Sequence, residues 1–344
     1  EVVKIERPSG LDLSRRQWAG EQGDSSSLIP DAALFLHLNT NKKSVAVDLE
    51  TQSGQALFCN LASQSSVIVE GLPPGQMADM GIDYSCLKVL RDDLVMTSVT
   101  PFGQTGPYRD YQYTELTVFA MGGAMQREGV TDRHPLRYGA EAAQYFIGSA
   151  AAAATMAASF GALLTGQGDW IDVSIFEAMA GHPNQIFRRG AFAYSGAIDY
   201  RLQPHADNLE ETDMLAVGTF RCKDGYMTFR PLGHRMWPNI VAMIGKPELM
   251  DDPRFSEPDG RKKHHAELEL IFQEWLDERT RSQVFREADR AGLPGGPLLT
   301  AAELFENEHF KSRDYFQEID HPEFGSLTYT GLPFKFPGAS TNVP

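Results

Sequence analysis

In the first hundred residues of the chain, short apolar runs alternate with segments whose apolar residues have helical spacing. The pattern predicts strands at 2–6, 44–49, 66–70 and 94–99, and helices at 50–61 and 84–91. This βαβ alternation is typical of a parallel sheet with helices on both faces. With right-handed crossovers, we expect an α/β fold with a Rossmann-like large domain.

The most distinctive stretch is an uncharged segment composed mainly of Ala, Gly and Ser. It predicts a helix over about 142–164, a Gly-rich turn at 165–168 and a strand over 170–175. A run of this length could span a membrane, but small side chains contribute little transfer free energy. Glu141 and Asp169, rather than basic residues, flank it. We therefore expect a buried helix in a soluble core and no membrane as a partner.

The second half of the chain has a different rhythm. Residues 196–214 are polar and weakly periodic, which is typical of a linker. After them the pattern predicts a hairpin at 216–222 and 226–230, helices at 237–244, 264–278 and 281–291, a turn at 295–297, a helix at 301–307, and strands at 315–319 and 326–330. This part is interpreted as a smaller α+β domain followed by a tail.

Composition narrows the function classes. The 344 residues are 42% hydrophobic and 22% charged, as in an ordinary globular protein. A net charge of −15 argues against nucleic acid and anionic membranes as partners. The cysteines, Cys59, Cys86 and Cys222, are odd in number and far apart, which favours a reducing cytoplasm. The chain opens inside a strand-like run, so we expect more structure to precede it.

Familiar catalytic motifs are absent from the sequence. The nine histidines show no metal-ligand spacing, so no metal is expected. No nucleophile elbow, Walker loop or dinucleotide fingerprint occurs. The chemistry must therefore be sought in a less common pattern.

Several segments, in order along the chain, provide such a pattern. They are EVVKIERP at 1–8, NKKSVAVDL at 41–49, VEGLPPG at 69–75, PFGQTGPY at 101–108, TGQGDWIDVS at 165–174, GLPGGP at 292–297 and HPEFG at 321–325. Together they resemble the class III CoA-transferases of the CaiB/BaiF type, the family of formyl-CoA transferase and carnitine CoA-transferase.

The resemblance implies an architecture. It implies a large Rossmann-like CoA-binding domain over 1–200, a small inserted domain over 201–297 and a C-terminal segment, 298–344, that returns to the large domain. It also implies an interlocked homodimer, in which each chain passes through the other and active sites lie between the subunits.

The resemblance also implies a reaction. Family members move CoA between an acyl-CoA and a small carboxylic acid, and an Asp carboxylate attacks the thioester. That Asp stands five positions after a Gly, near the start of the small-residue helix. Counting from Gly139, this chain has Gln144 there. A neutral amide is a poor nucleophile, so the usual mechanism fails unless another group attacks.

Two nearby acids could take part. Glu141 lies three positions earlier and could share a helix face with Gln144, either as a substitute nucleophile or only as an acid near the helix N-terminus. Glu115 corresponds to the family's supporting acid, although a surface acid at a helix start is the simpler interpretation. Thr114 stands where related racemases carry a His, which argues against racemisation.

Coenzyme A is the expected cofactor, bound as a substrate. By resemblance, the candidate CoA-binding residues are Arg7, Lys42, Lys43, Gly71 and Leu72. Asp79 stands where the family often carries an Arg, and 206–214 lacks the glycines of the family's mobile loop. These departures predict weaker CoA binding.

Three functions remain open at this point. The first is a CoA-transferase with an unusual nucleophile. The second is a catalytically silent CoA-fold domain, either half of a tandem enzyme or a binding or scaffold partner. The third is an acyl-CoA lyase or hydratase that uses Glu141 or Glu115 as a base.

Overall fold

A computed structural model describes residues 1–8, 29–129, 133–139, 142–181, 183–198, 217–231, 233–322 and 324–338. The chain divides into two compact units. The first comprises Glu1–Leu202 with Pro322–Gly325 and Val343–Pro344, and the second comprises Gln203–His321 with Ser326–Asn342. The domain bounds expected from the sequence, 1–200 and 201–297, stay a prediction. The return of 298–344 to the large domain stays a prediction.

The first unit is built from alternating strands and helices. Its strands are β1 (Val2–Glu6), β2 (Lys42–Ala46), β3 (Val67–Glu70), β4 (Val95–Thr100) and β5 (Trp170–Ser174). Its helices are α1 (Ile29–Asn39), α2 (Gln52–Ser63), α3 (Gln76–Asp79), α4 (Tyr84–Lys88), α5 (Glu115–Met121), α6 (Ala142–Thr165), α7 (Ile175–Ala180) and α8 (Pro183–Ser195), with a 3₁₀ turn at Ala124–Arg127.

The strand pairings are parallel, as the βαβ pattern predicts. β1 pairs with β2 in one sheet, and β3, β4 and β5 form a second sheet in that order. β4 is buried along almost its whole length, and its buried residues include Thr97, Ser98 and Thr100 as well as apolar side chains. The carboxyl ends of β3, β4 and β5 meet at one edge, and that edge carries the candidate site described below.

Helix α6 crosses the second sheet. It packs against β4, β5, α5 and α7. The hydroxyls of Thr97 on β4 and Thr155 on α6 lie 2.7 Å apart in the interior, and Thr155 donates to the carbonyl of Ala151. Small side chains permit this close approach of helix and strand.

Only one stripe of α6 is buried within the chain. The buried stripe is Ala143, Ile147, Ala151, Thr155 and Ala162, whereas Met156, Phe160, Leu163 and Leu164 are at least 63% exposed. The expectation of a helix buried all round is therefore wrong for this chain by itself. Composition could not show it, because a uniformly small and apolar sequence does not reveal which faces the same chain covers.

By length and composition, α6 is also the one helix of the described residues that could cross a membrane. Part of its apolar surface packs on β4.

The second unit has a three-stranded antiparallel sheet, a separate two-stranded sheet and a helical layer. Its strands are β6 (Gly218–Cys222), β7 (Gly225–Phe229) and β8 (Gly295–Pro297) in the first sheet, and β9 (Phe316–His321) and β10 (Gly325–Thr330) in the second. Its helices are α9 (Trp237–Ile244), α10 (Pro258–Lys263), α11 (His265–Asp277), α12 (Arg281–Arg290), α13 (Ala301–Glu306) and α14 (Glu308–Ser312), with 3₁₀ turns at His234–Met236 and Pro247–Met250. Phe220, Phe229 and Phe272 lie at the centre of its core.

One local prediction in this unit is wrong. Gly295–Pro297, predicted as a turn, is strand β8 and pairs with β7. A Cβ at Gly295 would lie 2.7 Å from the Phe229 ring, so glycine is needed for close approach of the two strands rather than for a turn.

Candidate active site

A cavity of about 210 Å³ opens beside the carboxyl ends of β4 and β5. Its lining comes from β4, the segment just before α5, α5 itself, α6 and the first residue of α7, all in the first unit. The lining residues are Val99, Tyr113, Glu115, Val118, Ala143, Gln144, Ile147, Gly148 and Ile175. Ligands of parallel α/β sheets commonly bind at this edge. The cavity therefore occupies the place where such folds carry their chemistry.

The cavity brings Gln144 and Glu115 to the same space. Gln144 is the third residue of α6, and Glu115 is the first residue of α5. Thr114 caps α5 by accepting a hydrogen bond from the backbone of Thr117, which fixes the start of the helix and hence the position of Glu115. The two residues lie 29 positions apart in the sequence, and both line this cavity.

Glu115 is a buried carboxylate rather than a surface acid. Its side chain is 7% exposed, and the guanidinium of Arg137 donates to it at 3.5 Å. A carboxylate withdrawn from water needs such a partner, because an uncompensated buried charge is strongly destabilising. Burial of an acid at the entrance of an apolar cavity is an arrangement typical of reactive sites.

The positive end of α6 also faces this region. Ala142 begins a helix of 24 residues, and Ala143 and Gln144 of its first turn line the cavity. The first-turn backbone N–H groups of a helix carry partial positive charge. An oxyanion that develops near Gln144 would therefore meet favourable electrostatics.

The segment 101–108 forms the adjacent loop after β4. Gly103 has a φ of 85°, which favours glycine, and the backbone N–H of Gln104 donates to Asp172 on β5 at 2.9 Å. The rings of Phe102 and Phe176 pack edge to face at 5.8 Å and hold the loop against α7. The loop thus has a defined conformation at the edge of the cavity.

Gly71 and Leu72 lie at the same sheet edge, directly after β3. A Cβ at Gly71 would meet the carbonyl of Val99, a cavity residue, at 3.5 Å. Leu72 donates its N–H to the carboxylate of Glu70 and packs on the core of Phe58 and Leu94. The predicted CoA segment and the cavity are therefore neighbours.

A further cation stands at this edge. The guanidinium of Arg109 occupies the space that a side chain at Gly75 would fill, since a Cβ there would lie 2.6 Å from its Nη2. Gly75 has a φ of 87°, which also requires glycine. Arg109 Nε is buried without a hydrogen-bond partner, and Asp110 is 3.7 Å away, beyond hydrogen-bond distance. The site therefore fits an anionic group such as a phosphate of CoA.

The other predicted cations lie elsewhere. Lys42 and Lys43 begin β2, whereas Arg7 follows the carboxyl end of β1; the strand register separates them by roughly 13–16 Å. Lys42 donates to the carbonyl of Leu38, and Lys43 pairs with Glu1 at 2.8 Å. Arg7 is 57% exposed, and Glu50 lies 3.9 Å away. The structure thus gives Lys42 a helix-capping contact, and phosphate binding by these three residues stays a prediction.

Some predicted features lie outside the described residues. Glu141 and the region 206–214 belong to the ranges that the structure does not describe. Among the described residues, no group of three or more His, Cys, Asp or Glu side chains could hold a metal ion.

The sequence signature of CoA-transferase family III matches residues 1–344 of this chain. The chain belongs to CoA-transferase family III. Family membership confirms the resemblance that the seven sequence segments carry.

Relatives with established names belong to the same family. Formyl-CoA:oxalate CoA-transferase of Streptomyces avermitilis is 27% identical over 355 aligned positions, which cover 100% of this chain and 84% of the relative. Succinyl-CoA–L-malate CoA-transferase alpha subunit of Chloroflexus aurantiacus is 29% identical, with 100% of this chain and 78% of the relative covered. CoA transfer is therefore the general chemistry of its relatives.

A solved structure agrees with the fold. A CaiB/BaiF family protein from Brucella suis superposes with a TM-score of 0.82 at 27% identity, covering 100% of this chain and 87% of that chain. The mixed α/β architecture with parallel sheets is thus the one found in family III.

Three residues of interest were not predicted from the sequence. Tyr113 and Arg137 stand at the cavity and beside its acid, and Arg109 stands at the neighbouring edge. For Arg109 a signal existed, since it directly follows the family-like segment 101–108. No local pattern linked Arg137 to Glu115.

Proposed function

We propose that this protein moves CoA between an acyl-CoA and a small carboxylic acid, with Gln144 in place of the usual Asp nucleophile. One observation carries the proposal: Gln144 and Glu115 line a single cavity in a chain of CoA-transferase family III. The family supplies the reaction class, and the cavity supplies a place for the acyl group.

Glu115 takes the role of attacking carboxylate in this proposal. Its oxygen adds to the thioester carbonyl carbon, the carbon–sulfur bond breaks, and CoA leaves as the thiolate, giving a mixed anhydride. The thiolate then attacks the Glu115 carbonyl and releases the first acid as a carboxylate. The acceptor carboxylate repeats the sequence in reverse, and Glu115 is regenerated. The amide N–H of Gln144 and the first turn of α6 serve as donors to the oxyanion.

CoA itself extends from the cavity along the sheet edge. Gly71, Leu72 and Arg109 form the nearest candidate contacts, with Arg109 as the phosphate partner. The exposed Tyr108 and Tyr111, whose rings are 5.1 Å apart, offer apolar surface beside it.

The second candidate function is a catalytically silent domain that supports another chain. Gln144 favours it, because an amide cannot form the anhydride. The name of one relative, an alpha subunit, also describes a protein that works with a different subunit. In that case the acid would come from a partner.

We also propose that two chains of this protein form the interlocked homodimer of the resemblance. The exposed apolar face of α6, with Met156, Phe160, Leu163 and Leu164, supports a covered surface at this place. A cytoplasmic location is likewise proposed, supported by the three free cysteines.

The test is a CoA-exchange assay with wild type and with Glu115→Gln, Gln144→Asp and Gln144→Asn variants. Acyl-CoA is supplied with an isotopically labelled free acid, and transfer of label into acyl-CoA is measured. The proposal predicts exchange by wild type and its loss in Glu115→Gln. Trapping with hydroxylamine, followed by peptide mass spectrometry, should place a hydroxamate on Glu115.

Other outcomes separate the two candidates. Exchange that appears only in Gln144→Asp would show that the wild-type site lacks a nucleophile but can still bind acyl-CoA and support the reaction. A hydroxamate on Glu141 would move the attack to that residue. Binding of acyl-CoA without exchange in any variant would favour the supporting domain, and failure to bind acyl-CoA would contradict both.

A further inference from the structure

The walls of the cavity are aliphatic. Five of its lining residues, Val99, Val118, Ala143, Ile147 and Ile175, are apolar and mostly buried. The volume of about 210 Å³ is below the range of about 300–1,000 Å³ that drug-sized ligands occupy. The cavity therefore suits an acyl group and not the whole of CoA.

The charge of the lining is also informative. Its ionisable acid is Glu115, and among the described lining residues no Lys or Arg occurs. The nearby guanidinium of Arg137 already balances Glu115. A second carboxylate on the acyl group would lose hydration here, find no Lys or Arg among the described lining residues and meet the like charge of Glu115.

The names of related transferases include a second class of acid. Oxalate, D-citramalate, L-malate and glutarate appear in the names of related transferases, and all of these acids carry two carboxylates. The formyl group in the name of one of them has no second carboxylate, so the names alone do not select either substrate class.

We propose that the cavity selects an aliphatic monocarboxylic acyl group and rejects acyl groups that carry a second carboxylate. This inference rests on the proposed acyl-CoA function and deepens it. The methyl and methylene groups of the acyl chain are buried against the aliphatic wall, and each buried group increases the affinity for the acyl-CoA. The negative charge of Glu115 supplies the discrimination, because the free carboxylate of a diacid half-thioester would be repelled by it and would lose hydration.

The test uses CoA thioethers, which bind but cannot react. The matched pair is S-isohexyl-CoA and S-carboxypropyl-CoA, in which an isopropyl end and a carboxylate end of similar size replace each other. Dissociation constants are measured by calorimetry with the full chain. We expect S-isohexyl-CoA to bind about 100-fold more tightly.

Two variants examine the cause of the discrimination. Glu115→Gln removes the like charge and should reduce the ratio of the two dissociation constants by about tenfold. Gln144→Arg places a cation on the lining and should shift preference towards S-carboxypropyl-CoA. Glu177→Gln is the matched control, since Glu177 is an exposed acid on the neighbouring helix α7 that does not line the cavity.

The outcomes distinguish the inference from the function on which it rests. Equal binding of both thioethers, or tighter binding of S-carboxypropyl-CoA, overturns the substrate class but leaves acyl-CoA chemistry in place. An unchanged ratio in Glu115→Gln and Gln144→Arg places the acyl group outside this cavity and overturns the inference as well. Failure of both thioethers to bind overturns the proposed function together with the inference.

Discussion

The carboxylate of Glu115 lies 3.5 Å from the guanidinium of Arg137, and the two residues are 22 positions apart in the sequence. The acid is almost fully buried, whereas the arginine is half exposed. Arg137 therefore reaches inward from the surface to a charge at the cavity wall, and it is positioned to control both the stability and the reactivity of that charge.

Removing Arg137 should destabilise the first unit. In Arg137→Met, a buried carboxylate loses a cationic partner, and we expect a loss of about 1–3 kcal/mol in the free energy of unfolding. Chemical denaturation measures it. The double variant Arg137→Met with Glu115→Gln removes both charges and should recover most of the loss. Equal losses in the single and double variants would contradict the pairing.

The two buried threonines should respond unequally to substitution. Thr155 donates its proton to Ala151, so Thr97 is the donor in the bond between the two hydroxyls. Thr155→Val leaves the Thr97 hydroxyl unpaired in the core and should cost about 1–3 kcal/mol. Thr97→Val leaves the bond to Ala151 intact and should cost about 0.5–1.5 kcal/mol. Denaturant unfolding of both variants and of the double variant decides; a reversed order would refute the assigned donor.

Arg109 should be needed for the phosphates of CoA. In Arg109→Met, the loss of one charge-assisted contact should weaken CoA binding about 10- to 100-fold. Arg91→Met is a matched control, because Arg91 forms a bidentate pair with Asp93 just before β4, at the opposite end of that strand. Isothermal titration with CoA and with pantetheine, which lacks the nucleotide, separates the contributions. Equal weakening towards pantetheine would place Arg109 outside the phosphate site.

Lowering the pH should destabilise the folded second unit through protonation of Glu303. Hydrogen bonds from Arg281 and from Thr300 lower the pKa of Glu303 to about 2 from 4.5. Since the pKa is depressed in the folded state, the stabilisation is complete above pH 4.5 and is lost as the pH falls towards 2.

The check compares wild type with Glu303→Gln. The difference in their melting temperatures should be largest above pH 5 and should shrink steadily on acidification to about pH 2. A difference that stays constant over this range would show that the charge of Glu303 makes no contribution.

Much of the first unit could be predicted because its elements repeat a strong period. Strands β1, β3 and β4 and helix α6 occur within a residue or two of their predicted bounds. The alternating pattern of 2–6 and the segment 94–99, which is rich in apolar and β-branched residues, carry that information locally. Helix α1 was not predicted, because its apolar residues are spread around the helix rather than gathered on one face.

The candidate site was predictable only in part. The spacing from Gly139 identified Gln144, and the family-like order of segments identified Glu115; the structure brings both to one cavity. The partnership of Glu115 with Arg137 and the packing of Arg109 on Gly75 depend on chain segments that meet only after folding. Sequence periodicity carries no signal for such long-range pairs.

The two ends of helix α6 have different surroundings. Its first turn forms part of the cavity wall, and its last turns present Phe160, Leu163 and Leu164 to water. Because α6 is one continuous helix of 24 residues, a protein surface that covers its far end is connected to the cavity wall through a single element. A preparation in which that far end stays exposed to water should be prone to precipitate. In such a preparation we also expect a lower affinity for acyl-CoA thioesters.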